Sequence, residues 1–179
     1  MRYLIVSDMH SNWEAFETVL RATRRKRFDG YLVLGDLVGY GGAPNQVVDA
    51  VRDLGPTMWI VRGNHDKVVA RIESGETFNP AARQAAEWTT ERLTSSNLRY
   101  VRELPEGPVE VAPELGICHG SPLDEDAYVF SDFDAYQIFS AYTRPLTFFG
   151  HTHVPSLFKL EPRGIVVRWL KEAQGTIDL

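Results

Sequence analysis

A single cysteine, Cys118, is all the chain contains, which excludes an internal disulfide framework and any zinc site of the cysteine-rich kind. A bound metal would have to be held by His, Asp, Glu or Asn. Long apolar runs are missing as well. None approaches the roughly 18 residues that span a bilayer, and the opening MRYLIVSD has too short an apolar stretch for a signal peptide. The expectation is a cytoplasmic protein with no membrane partner. Positive charge is also in deficit: 19 Lys and Arg against 24 Asp and Glu leave a net charge of −5, which argues against a broad basic surface for extended nucleic acid. The one basic run, Arg21 to Arg27, closes the first expected helix, where cations favour the negative end of the helix dipole. Linkers, repeats and low-complexity tracts are absent.

What remains is an ordinary globule. The 179 residues, 44% hydrophobic, suffice for one domain over residues 1–179 with a sizeable core. Short β-rich runs, RYLIVSD, YLVLGD and TMWIVRGN, are separated by helical patterns, the βαβ signature of a sheet with parallel strands. The first helix is expected at SNWEAF, where Ser11 and Glu14 have the spacing of a capping box. In the second, Pro44 suits the first turn, Val47, Val48, Val51 and Leu54 form the stripe, and Gly55 ends it. Residues 73–108 read as a helical insertion within the domain, starting with Asn79 as cap and Pro80 in the first turn. Strand-like VEVA, LGICHG and LTFFGH follow, and the end reads as a hairpin, SLFKL and IVVRWL, about an EPRG turn.

The polar residues of interest fall where the apolar runs end: Asp8 and His10, Asp36, then Asn64, His65 and Asp66, then His119, then His151 and His153. All five histidines belong to this set. Strand ends border the crevice in which open α/β sheets bind ligands, so separate segments can converge there. In an extended segment residues i and i+2 share a side, so Asp8 with His10, and His151 with His153, would each aim two donors into one pocket while Met9 and Thr152 face elsewhere. Imidazoles with carboxylate and amide oxygens suit Mn²⁺ first, with Fe, Ni²⁺, Zn²⁺ or Mg²⁺ as alternatives. Seven donors exceed what one tetrahedral ion takes, which points to two ions, with Asp36 the candidate bridge.

The ordered blocks DMH, GD, GNHD, CHG and GHTH, running from Asp8 to His153, resemble the calcineurin-like metallophosphoesterases. That resemblance implies a four-layer αββα sandwich, two mixed β-sheets packed face to face with helices outside. It assigns Asp8, His10 and His153 to a first metal, Asn64, His119 and His151 to a second, and Asp36 to both. His65 is left to serve the leaving group or the transition-state charge, with Asp66 or a water to orient it. The activity implied is phosphodiester hydrolysis by a metal-bridging hydroxide, on small phosphoesters or nucleotides. A phosphomonoesterase, a nuclease or a non-catalytic binding scaffold are the alternatives, and a homo-oligomer is compatible with the chain. The second block here reads GDLVGYG, not the Gly-Asp-x-x-Asp/Ala-Arg-Gly of the phosphoprotein phosphatases, so the likeness is to the small bacterial and archaeal phosphodiesterase branch. Asn12, Tyr40 and Ser121 flank the blocks as candidate substrate residues, a cap or a turn explaining Asn12 and Ser121 equally well. Cys118, preceding His119 in a strand, is expected to be buried away from the metals.

Overall fold

The computed structural model describes residues 1–170; residues 171–179 of the expected domain lie outside the described residues. In chain order the elements are β1 (Tyr3–Val6), α1 (Trp13–Thr23), β2 (Gly30–Val33), α2 (Pro44–Arg52), β3 (Met58–Ile60), α3 (Asn64–Val69), α4 (Pro80–Arg92), α5 (Ser95–Arg102), β4 (Val109–Ala112), β5 (Leu115–Ile117), α6 (Asp132–Ala141), β6 (Leu146–Phe148), β7 (Ser156–Glu161) and β8 (Gly164–Trp169). Strands β1, β2 and β3 form one sheet, parallel throughout. The second sheet is mixed: β5 pairs antiparallel with β4 and parallel with β6. Strands β7 and β8 form the expected hairpin.

Two apolar layers hold the sheets. Leu32, Leu34 and Val61 meet Leu115, Ile117 and Phe148, so one core lies between the sheets. On the other face of the first sheet, Val33 packs against Phe16 of α1, Val47, Val48 and Val51 of α2, and Val69 of α3. Ala86, Leu93, Val101 and Leu104 join that same core, which is where the helical stretch 73–108 spends its apolar side chains. Helix α6 lies against the β7 and β8 hairpin. This mixed α/β arrangement, with two sheets face to face and helices outside the first, is consistent with the expected αββα sandwich.

Local chemistry explains most element ends. Asn79 accepts a hydrogen bond from Ala82 N at 2.9 Å and Thr94 one from Asn97 N at 3.2 Å, opening α4 and α5. Pro44 occupies the first turn of α2, and the chain leaves that helix through Gly55 at φ 138. The start of α1 differs from the sequence reading. Asn12, not Ser11, is the cap, accepting from Ala15 N at 3.1 Å. Ser11 itself has φ 57, since the chain is still turning there after His10, and its buried hydroxyl finds no partner. Two helices were not anticipated: α3, in the GNHD block, and α6, whose inward residues Ala135, Ile138 and Phe139 have helical spacing but whose exposed Phe133 and Tyr136 blur the contrast between its faces.

Candidate metal centre

The site lies where the loops after β1, β2, β3, β5 and β6 converge. These loops are sharply bent rather than extended. Asp8, His10, His151 and His153 have φ of 54, 46, 63 and 53, and Asp36 and Tyr40 are left-handed as well. The paired donors therefore reach one pocket through successive left-handed bends, not through strand alternation as the spacing suggested. Each such residue costs about 1–3 kcal/mol of backbone strain and persists only where its surroundings over-determine it. Met9 is buried in the core beneath, but Thr152 lines the cavity, contrary to the expectation from alternation.

One group of donors is Asp8, His10 and His153. The Nε2 atoms of His10 and His153 are 3.2 Å apart, and His153 Nε2 is 3.3 Å from Asp8 Oδ1. The other Asp8 oxygen accepts from the Ser7 hydroxyl at 2.5 Å and from His151 N at 3.1 Å, which fixes the carboxylate. His10 Nδ1 lies 3.2 Å from Val38 O, so the ring donates there and leaves Nε2 with a free lone pair.

A second group is Asp36, His119 and His151. His119 Nδ1 donates to Leu34 O at 2.7 Å, and its Nε2 stands 3.2 Å from Asn64 Oδ1, bringing Asn64 into the set. His151 uses the opposite nitrogen. Its Nε2 donates to Asp126 O at 3.1 Å, leaving Nδ1 as the ligand atom.

Asp36 joins the groups through one oxygen. Its Oδ2 is 3.5 Å from His10 Nε2 and 3.4 Å from His119 Nε2, while Oδ1 accepts from His65 N at 2.9 Å. A backbone amide thus occupies one Asp36 oxygen and the other alone faces both groups. Gly63 makes this approach possible: a Cβ there would overlap the Asp36 carboxylate. Donors around an ion at about 2.1 Å stand about 3.0–3.4 Å from one another, and the His10–His153, Asp8–His153, Asp36–His119 and His119–Asn64 separations of 3.2, 3.3, 3.4 and 3.2 Å fall in that range.

The charges agree with this. Burial alone would raise Asp36, but the positive fields of His119, His10 and His65 outweigh it and hold the carboxyl well below the usual range. Burial would lower His119, yet Asp36 beside it pushes that imidazole up to about 9.

His65 stands beside both groups, its ring 4.8 Å from that of His10. Burial, followed by the fields of His10, His119 and His151, lowers it to about 4 against the opposing pull of Asp36. Its Nδ1 is buried without a hydrogen-bond partner. Asp66 does not supply one: its carboxylate accepts from Gly63 N at 2.9 Å and Val38 N at 3.2 Å, tying two site loops together. Burial, then the Asp36 charge, raises Asp66 to about 7.

A cavity of 220 Å³ opens on His10, Asp36, Asn64, His65, His151 and His153, with Tyr40 and Tyr128 on its walls. An adjoining hollow of 490 Å³ contains Asp8, Asn12 and again Tyr40. Among the described residues no Lys or Arg lines either one. Asn12 has its side chain engaged as the α1 cap, and Ser121 closes a turn, its hydroxyl accepting from Leu123 N at 3.1 Å. Cys118 is fully buried, and its thiol is pushed up to about 12 by that burial.

Three residues at the site escaped the sequence reading. Tyr128 stacks on His151 with ring centroids 3.9 Å apart. Asp126 positions His151 through its carbonyl, and the buried Lys67 grips the Asp126 carboxylate at 2.6 Å. The segment DEDAYVF carries no periodic or spacing signal; the one clue was its place directly after the CHG block.

The chain is similar to several known proteins. The model of the calcineurin-like phosphoesterase family matches residues 1–155. An uncharacterized protein of Methanocaldococcus jannaschii is 33% identical over 156 residues, which is 84% of this chain and 62% of that protein, so the chain spans less than two thirds of this relative. The crystal structure of a metallophosphoesterase from Sphaerobacter thermophilus is similar with a TM-score of 0.80 at 36% identity, over 97% of this chain and 70% of that one. A hypothetical protein of Pyrococcus horikoshii OT3 has the same fold, with a TM-score of 0.74 at 18% identity over 93% and 75% of the two chains. Among the described residues no helix is long and apolar enough to cross a membrane.

Proposed function

The chain belongs to the calcineurin-like phosphoesterase family, and we propose that within it the protein is a dinuclear metal-dependent phosphodiesterase acting on small phosphoesters or nucleotides. The observation that carries this reading is the single Asp36 oxygen 3.5 Å from His10 Nε2 and 3.4 Å from His119 Nε2. Asp8, His10 and His153 would hold one ion, Asn64, His119 and His151 the other, and Asp36 both. When bound, two divalent ions supply Lewis-acid charge for phosphoryl oxygens and a water acidified enough to attack phosphorus near neutral pH, as Mn²⁺ does well with this donor set.

The protein's own groups do the rest. Val38 O and Leu34 O fix the tautomers of His10 and His119 so that both Nε2 lone pairs face inward. His65, neutral at rest, offers a hydrogen bond from its ring N–H to charge that develops on the phosphoryl group or the departing oxygen. A proton is gained only when an anion faces it, since burial disfavours the imidazolium. Tyr40, its phenol raised by burial and then the Asp36 charge, stays neutral and offers an O–H beside His65, the two ring centroids 4.5 Å apart.

Diester preference follows from what the walls lack. A monoester dianion brings about two negative charges and a diester one, and beyond the ions only neutral donors meet them here. The test is hydrolysis of bis-p-nitrophenyl phosphate and p-nitrophenyl phosphate with added Mn²⁺. The diester should be the better substrate and His119→Ala should abolish turnover; a metal-loaded protein inactive on both would sink the proposal.

A further inference from the structure

We propose that the rings of His151, Tyr128 and Phe130 form a stacking site for a flat aromatic group carried by the substrate, a nucleobase or an aryl alcohol. This rests on the phosphodiesterase reading and adds the group beyond the phosphate. Tyr128 lies nearly parallel to His151, at 3.9 Å and 18°, and Phe130 nearly parallel to Tyr128, at 5.2 Å and 11°. The column therefore starts at a candidate metal ligand and runs outward from the cavity. Its outer members are not covered: Tyr128 is 53% exposed and Phe130 44%. Two large rings kept parallel in water, at the mouth of a cavity whose floor is polar, present apolar faces that a third ring would cover.

The column is also held still, so stacking would cost little ordering. Asp126 just before it is gripped by Lys67 and by His151, and Phe130 N donates to Asp134 Oδ2 at 3.0 Å just after it. Tyr40, 51% exposed, lines the same cavity beside His65. With no Lys or Arg lining the cavity among the described residues, the organic part of a diester meets the rings of Tyr40 and Tyr128 at its edge rather than a cation.

The test compares thymidine 5′-(p-nitrophenyl phosphate), bis-p-nitrophenyl phosphate and methyl p-nitrophenyl phosphate, which share one leaving group and differ in the other arm. In Phe130→Ala the ratio of kcat/KM for each aromatic ester to that for the methyl ester should fall about tenfold, and Phe130→Trp should restore it. The thymidine and bis-aryl arms separate a nucleobase from an aryl group. Independently of turnover, saturation-transfer NMR of thymidine 5′-monophosphate with metal-free protein should show base protons in contact, lost in Phe130→Ala. Unchanged ratios together with unchanged base contacts would overturn the stacking site. Hydrolysis of the methyl ester with no aromatic preference would leave the phosphodiesterase reading intact. Base contacts without hydrolysis of any ester would remove that reading and keep the stacking site.

Discussion

His10 and His153 face each other nitrogen to nitrogen, their Nε2 atoms 3.2 Å apart across 143 residues of chain. His151, only two residues before His153, turns its free nitrogen instead toward the group of Asp36 and His119. The HTH dipeptide spacing thus straddles the two donor groups.

His153→Ala and His151→Ala should each lower the metal content from two ions per chain to one, and they should remove different ions. His153 is half exposed, so its loss spares the fold, whereas His151 is 7% exposed and its loss also leaves Asp126 O without a donor. Calorimetric titration with Mn²⁺ would show two binding phases in the wild type and a different one missing in each variant. Loss of the same phase in both would refute the division.

Proton release should accompany metal binding. His119 is held protonated up to about pH 9 by Asp36 in the absence of an ion, yet a ligand nitrogen must give up its proton. Affinity for the ion at His119 should therefore rise about tenfold per pH unit between about 7 and 9. The stability of the metal-free protein runs the other way. Because the folded value lies above the ordinary 6.5, the His119 contribution is complete below that pH and is lost as pH rises through about 9. Calorimetry in two buffers of different protonation enthalpy reads the released proton, and equal heats in both would contradict it.

Much of this centre was legible because metal chemistry needs particular atoms, and here those atoms sit at the ends of short apolar runs. Asp8, His10, Asp36, Asn64, His119, His151 and His153 are brought into neighbouring groups of donors by loops whose blocks were visible in sequence. What was hidden is how they get there. Left-handed backbone at His10 and His153 leaves little trace in residue type, since histidine, though enriched at positive φ, adopts extended backbone far more often. The single-oxygen role of Asp36 depends on the His65 amide, a backbone group that sequence does not display. The stripe of helix α6, Ala135, Ile138 and Phe139, is masked by the exposed Phe133 and Tyr136 on its other face, and Tyr128 followed from no spacing at all.

Gly63→Ala should abolish binding of both ions while leaving the remote sheet intact. A Cβ at this position would meet the carboxylate and the amide of Asp36, and that side chain cannot retreat without leaving both histidines. Gly42→Ala is the control, since its added methyl meets nothing. Metal analysis of the two purified variants decides the point: two ions in Gly63→Ala would mean the loop yields more readily than the packing indicates.

Lys67→Met should weaken one ion selectively and destabilise the fold. The Lys67 ammonium is buried 2.8 Å from Glu73, 3.1 Å from Glu125 and 2.6 Å from Asp126. Burial would lower its pKa, but those three carboxylates outweigh it and hold the group above the usual lysine range. Removing one member of a buried ion cluster commonly costs about 3–5 kcal/mol. Here Glu73 and Asp126 are half exposed and regain water, and Glu125 keeps Arg62 at 2.7 Å, so a loss of about 2 kcal/mol is expected. Denaturant unfolding in the presence of chelator measures it. The selective effect comes through Asp126, which is released on one side while its carbonyl still receives the His151 proton. Affinity at the His119 and His151 group should fall while that at Asp8, His10 and His153 holds; an equal fall at both would mean that Lys67 acts on the fold alone.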